Sequence, residues 1–181
     1  EIPGTHCQHS SQSAHDDTSL LQVHPTQGQI MIIRHGERDG DDDCLNATGW
    51  IRAGNLSAFF QGSMRPRRIF AYNYEQAHLT SSVCERCFET VLPLATSLNM
   101  TVNHSYPSHF GFDQMGAEAI LEALDVTGGG PILVAWESFN VHFLLKNLGV
   151  PNAPWWNYSS CEVEYNNIYR LTYRKAATGW R

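Results

Sequence analysis

Apolar residues are spread unevenly along the chain. The first 27 positions are polar, rich in Ser, His and Gln, without a periodic apolar pattern, so residues 1–27 read as an irregular arm. From Gln29 onward, short apolar runs alternate with longer amphipathic stretches. Ile30–Ile33, Arg68–Tyr72, a short run near Val102, Pro131–Trp136 and Ile168–Tyr173 read as strands. Ala47–Phe60, Cys84–Leu98, about Gln114–Leu124 and about Phe139–Leu148 carry apolar residues at helical spacing. This alternation predicts an α/β three-layer sandwich, with a mostly parallel central sheet and helices on both faces. A chain of 181 residues fits one core, so residues 28–181 are expected to form a single domain behind the arm.

Composition narrows the partners. A formal charge of −6 argues against nucleic acid or an anionic membrane surface as a partner, and no apolar run reaches the length of a membrane span. A small-molecule substrate is the expected partner, and the oligomeric state stays open. The sequons at Asn46, Asn55, Asn99, Asn103 and Asn157 exceed the one or two that chance supplies, which points to a secreted, N-glycosylated protein. The chain starts at Glu1 without a methionine, as a processed precursor or a trimmed chain would. Cys7, Cys44, Cys84, Cys87 and Cys161 suit one or two disulfides with one thiol over; no second Cys pair or His pair stands at zinc spacing beside Cys84-x-x-Cys87.

Two strand ends carry the candidate chemistry. In IMIIRHGERDG the first strand delivers Arg34, His35 and Gly36 into the region where α/β folds bind ligands. In PILVAWESFNV another strand delivers Glu137 and Ser138 to a strand-to-helix turn. Ser138 lacks the flanking glycines of a serine-hydrolase elbow. Asp39, Asp41 and Asp43 mimic the start of an EF-hand loop, but Cys44 replaces its glycine and Trp50 its final glutamate, so a solvated acidic loop is expected and no metal site. His78, His104 and His109 read as loop residues without metal spacing.

The chain resembles the histidine phosphatase superfamily, also called phosphoglycerate-mutase-like, over roughly Gln29–Tyr173. Arg34-His35-Gly36 matches its RHG motif. CLNATGWIRAGNLSAFF is similar to its L-x-x-x-G-x-x-R-A helix start, through Leu45, Gly49, Arg52 and Ala53. ERCFETVLPLA is similar to its second arginine motif, through Arg86 and Thr90. WES resembles a branch in which the second catalytic histidine follows Trp-Glu; Ser138 stands at that position here.

The resemblance implies phosphomonoester hydrolysis without a cofactor. His35 would attack phosphorus and become phosphohistidine, while Arg34 and Arg86 clamp the phosphoryl oxygens and Gly36 lets backbone approach the anion. A carboxyl group must protonate the leaving oxygen and then activate water. Asp113 is the first choice, with Glu37 and Glu118 behind it, although helix capping is the simpler account of Asp113. Glu137 and His142 are further pocket candidates; His142 lies one helical turn past Ser138, where a partly buried helix histidine is the simpler account. Tyr72, Tyr74, Trp155 and Trp156 either line a pocket or pack. Three functions remain open: a phosphomonoesterase of low or altered activity, in which Ser138 marks a lost donor; an enzyme repurposed for other small-molecule chemistry, with Ser138, Glu137 or Asp113 in a new role; and a non-catalytic binding protein.

Overall fold

The computed structural model describes residues 27–40, 43–74, 84–107, 113–154, 165–176 and 179–180. Cys7, Asp41, His78, His109, Trp155, Trp156, Asn157 and Cys161 lie outside them, as does the arm up to residue 26. The elements in chain order are β1 (Gln27–Arg34), α1 (Ala47–Phe59), β2 (Arg68–Tyr72), α2 (Glu85–Ser97), β3 (Val102–Tyr106), α3 (Asp113–Val126), β4 (Ile132–Trp136), α4 (Val141–Asn147), β5 (Ile168–Ala176) and β6 (Gly179–Trp180). The sheet order is β3-β2-β4-β1-β5-β6. The first four of these strands run parallel, β5 lies antiparallel to β1, and β6 pairs with the last residues of β5. The mostly parallel α/β sheet expected from the alternation is present, with an antiparallel addition at one edge.

Burial explains the central strands. Ile30, Ile32 and every residue of Ile132–Ala135 are fully buried, as strands covered on both faces require. Register runs Ile30 against Ile132 through Arg34 against Trp136, so β1 and β4 end side by side. The chain steps from β1 to β2 to β3 in one direction across the sheet, then returns to β4 and β5. Because parallel crossovers are right-handed, α1 and α2 cover one face and α3 the other, and α4, which leads into the antiparallel β5, packs beside α3. Connections from the neighbours β1 and β4 therefore leave toward opposite faces. That opens a crevice beyond their carboxyl ends, where ligands sit in open α/β sheets.

His104, expected in a loop, belongs to β3, stacked on Tyr74 with ring centroids 5.0 Å apart and packed edge-on against Phe88. The short run near Val102 is extended to Tyr106 by pairing with β2. The segment before α4 is a turn through residues 138–140, so that helix starts at Val141 rather than Phe139. Helix α2 continues through Pro93 to Ser97. An interior proline costs about 3 kcal/mol, and here full burial of Val91, Leu94 and Ala95 opposes that cost.

Candidate active site

The loop after β1 is held from three sides. Gly36 donates its N–H to Thr90 Oγ1 at 2.7 Å, and that hydroxyl donates to the Arg86 carbonyl at 2.6 Å. A side chain on Gly36 would press on Leu45 and on the Gly49 Cα, at 3.0 and 3.1 Å. Gly49 is more constrained still, since a Cβ there would run into the Glu37 carbonyl oxygen. Asn46 caps α1 by accepting from the Gly49 N–H at 2.9 Å. The helix-start motif is thus a packing device: Leu45 and Gly49 let α1 butt against the loop that carries His35, and Ala53 is fully buried behind them.

His35 is 1% exposed. Its Nδ1 stands 2.7 Å from the Gly36 carbonyl, which can only accept, so Nδ1 carries the proton and donates. Nε2 is then the unprotonated nitrogen. It faces two guanidinium donors, Arg86 Nε at 3.2 Å and Arg34 Nε at 3.5 Å. Burial, then Arg86 and Arg34, drives the His35 pKa well below 6.5, so the imidazole is neutral at physiological pH. A neutral imidazole with its lone pair turned toward two cations is arranged to meet an anion at that nitrogen.

Arg86 is buried in the first turn of α2, between Cys84 and Cys87, which form a disulfide with Cα atoms 5.2 Å apart. Its guanidinium reaches Asp43 at 3.4 Å, and its own N–H donates to the Asp43 carbonyl at 2.8 Å. Burial lowers the pKa of both Arg34 and Arg86, and Arg38 lowers each further. The Arg34 guanidinium lies 4.0 Å from the centroid of the Tyr165 ring, and Tyr165 meets the His35 ring edge-on at 6.1 Å. Neither Arg38 nor Tyr165 figures among the sequence candidates. Arg38 follows the RHG string by two residues in an otherwise unremarkable polar stretch, and Tyr165 precedes the distant strand β5, where nothing local marks it.

The carboxylates divide by environment. Glu37 is engaged by Arg52, whose Nε donates to its two oxygens at 3.1 and 2.9 Å, and this pairing lowers the Glu37 pKa. Such a group stays ionised and is a poor proton donor. Glu118 is on an exposed face of α3, accepting from Gln114 at 2.9 Å. Asp113 is 2% exposed, accepts from the Trp136 indole N–H at 3.1 Å, and has its pKa pushed up to about 7, chiefly by burial and further by Glu137. The same Trp136 accepts the His35 N–H through its carbonyl at 3.3 Å, so a single residue links Asp113 to the His35 backbone. Buried Tyr72 packs edge-on against that indole at 5.0 Å, and its hydroxyl accepts from Asn140 at 3.0 Å.

Glu137 is an acceptor hub at the turn into α4, taking hydrogen bonds from Ser138 Oγ at 2.9 Å, Phe139 N at 2.9 Å, and Asn140 N and Nδ2 at 3.1 Å each. The Ser138 hydroxyl proton is therefore directed at its neighbour. His142 faces away from the cluster: Nδ1 lies 3.2 Å from the Pro154 carbonyl and the ring packs on Phe143. Among the described residues, Cys44, Glu85 and Glu89 bring three donor atoms within 4.8 Å of one another. Leu45 donates to Glu89 at 2.7 Å and Cys44 to Glu85 at 3.8 Å, so protein groups already engage those carboxylates.

Comparison with solved structures places the architecture. The protein histidine phosphatase SixA, in complex with tungstate, matches with a TM-score of 0.50 and 19% identity, over 71% of this chain and 82% of that one. The ecdysone phosphate phosphatase of Bombix mori, also in complex with tungstate, matches with a TM-score of 0.52 and 10% identity, over 85% of this chain and 91% of that one. The chain has the histidine phosphatase fold. No protein-family model matches the sequence, and no curated protein matches it. Within the histidine phosphatase fold, the crevice between β1 and β4 is occupied here by Arg34, His35 and Arg86, with Glu137 and Ser138 on the β4 side.

Proposed function

We propose that the protein is a phosphomonoesterase that works through His35. The observation that carries this reading is the state of the His35 imidazole, whose Nδ1 proton is tied to Gly36 while Nε2 points at two guanidiniums. Two lines add support. The fold is shared with phosphatases solved with tungstate, an oxyanion, and Asp113 is a buried carboxyl, its pKa pushed up to about 7, that accepts from the indole of the residue whose carbonyl holds the His35 N–H.

In the first step the Nε2 lone pair attacks phosphorus and the bond to the ester oxygen breaks. The departing electron pair stays on that oxygen, which takes the Asp113 proton and leaves as the alcohol. In the second, water attacks the phosphohistidine, Asp113 accepts its proton, and the N–P electron pair returns to Nε2 with release of inorganic phosphate. Arg34 and Arg86 hold the oxygens throughout. We further propose that turnover is slow, because Ser138 offers a neutral donor already given to Glu137 where a charged histidine would stabilise the developing phosphoryl charge.

Secretion is part of the proposal. Asn55, Asn99 and Asn103 are exposed, and the Cys84–Cys87 bridge suits an oxidising compartment. Asn46 fits a glycan less well, since its amide donates to Asp39 at 2.8 Å while its oxygen caps α1. No helix of the described residues is long and apolar enough to cross a membrane.

The test is a thermal-shift titration with vanadate, beside hydrolysis of an aryl phosphate. Vanadate should stabilise the protein by mass action and lose that effect in Arg34→Ala/Arg86→Ala, and hydrolysis should vanish in His35→Ala. No vanadate shift in the unmutated protein defeats the phosphate reading. A shift without His35-dependent turnover makes the chain a binding protein on this fold.

A further inference from the structure

Arg34 also lines a cleft of about 400 Å³ between α1 and the start of β5. One wall is a single helix face, on which Thr48, Ile51, Arg52, Asn55, Leu56 and Phe59 recur at alternating steps of three residues and one. Ile33, Arg34, Tyr165 and Ile168 complete the lining. Ile51 is 67% exposed and Phe59 48% exposed, although apolar positions on a surface helix ordinarily face the core. An apolar strip left open beside a polar site marks a binding surface.

Charge separates the two arginines of the lining. Arg52, in the helical wall, is neutralised by Glu37, whereas Arg34 is the guanidinium that stands 3.5 Å from the His35 nucleophile. The cleft thus combines a cation beside the reacting nitrogen with an aliphatic and aromatic lining. That combination is the complement of an amphipathic organic anion. We propose that the cleft is a specificity subsite for the apolar body of the substrate, so that preferred substrates are phosphomonoesters of hydrophobic, ring-bearing alcohols rather than of sugars or polyols. Tyr165 is the hinge of this arrangement, since one face of its ring positions Arg34 while the residue also lines the cleft.

The inference rests on the phosphate reading above, and the experiment separates the two. Vanadate, methylphosphonate, phenylphosphonate and 4-biphenylphosphonate are titrated by calorimetry into the full chain and into Ile51→Gln/Phe59→Gln, whose two positions are exposed enough to accept glutamine without disturbing the core. Affinity should rise along the phosphonate series, with 4-biphenylphosphonate at least about tenfold tighter than methylphosphonate in the unmutated protein. In the double variant that gain should fall to within about twofold while vanadate binding is unchanged. A flat series with intact vanadate binding overturns the subsite alone, and a gain that survives the double substitution moves it elsewhere and overturns this assignment. Failure of vanadate to bind overturns the phosphate reading and the subsite with it.

Discussion

Replacing Asp113 by asparagine should make the protein more stable and less active, by an amount that depends on pH. In the folded protein the Asp113 carboxyl is raised from 3.8 to about 7, because burial disfavours its ionised form. Below pH 3.8 folded and unfolded chains both hold the proton and the group contributes nothing. Between 3.8 and about 7 the unfolded chain releases the proton while the folded chain keeps it, so stability falls by about 1.4 kcal/mol per pH unit. Above about 7 both forms are ionised and the loss is complete, at about 4 kcal/mol as an upper figure. Asparagine cannot ionise, and its oxygen can still accept from the Trp136 indole. Urea denaturation of both proteins at pH 4.5, 6 and 8 should therefore show a stability advantage for Asp113→Asn that grows with pH. On an aryl phosphate the variant should lose about 10²-fold in kcat, and the decline of kcat/KM above about pH 7 should disappear with the acid. An advantage that is constant or shrinks with pH refutes the buried neutral carboxyl, and unchanged turnover refutes its role as acid.

Gly49→Ala should cost about 2–3 kcal/mol in denaturant unfolding and weaken vanadate binding, because the new Cβ meets the Glu37 backbone rather than a movable side chain; a neutral substitution would mean the loop after β1 yields freely. Ser138→His should raise aryl phosphate turnover by about one to two orders of magnitude, and the gain should vanish when His35→Ala is added; flat rates would show that the turn after β4 does not face the reacting group. Protein from a eukaryotic secretory host should lose mass on amidase treatment, with the glycan peptides mapping to Asn99 or Asn103 before Asn46, whose amide is held by Asp39, and before Asn55, which lines the cleft; an unglycosylated chain removes the case for secretion.

The sheet order was not written in the sequence, but the strands that build it were. Ile30–Ile33 and Pro131–Trp136 are continuous apolar runs because both are covered on two faces, a pattern local enough to read. β5 is harder, since its residues alternate between exposed and half-buried and its antiparallel pairing with β1 joins segments far apart in the chain. The chemistry followed the same division. Arg34, His35 and Gly36 are contiguous, and Arg86 sits at a helix start with its own spacing, so both could be picked out. Tyr165 could not, because its place over Arg34 exists only once β5 docks beside β1. Helical spacing put His142 within conceivable reach of the pocket, but the rotation of α4 sends its ring to Pro154 instead. Asp113 is the first choice for the carboxyl from sequence with helix capping as the rival account, and its burial against Trp136 is a tertiary fact.

The bridge that brackets Arg86 has a consequence for handling the protein. Cys84 and Cys87 are both fully buried and enclose the one arginine that touches His35 Nε2 from the α2 side. One of the two arginines that face His35 Nε2 is thus anchored by a bond whose presence depends on where the chain was made and how it was stored. Material from a reducing cytosol and material from an oxidising pathway are different reagents at this arginine, even when they share a fold and a melting curve. Because both sulfurs are shielded, adding a reductant to finished protein is a slow and incomplete way of converting one into the other. Weak or variable turnover should accordingly be read against the thiol count of the same preparation before any of it is ascribed to Ser138.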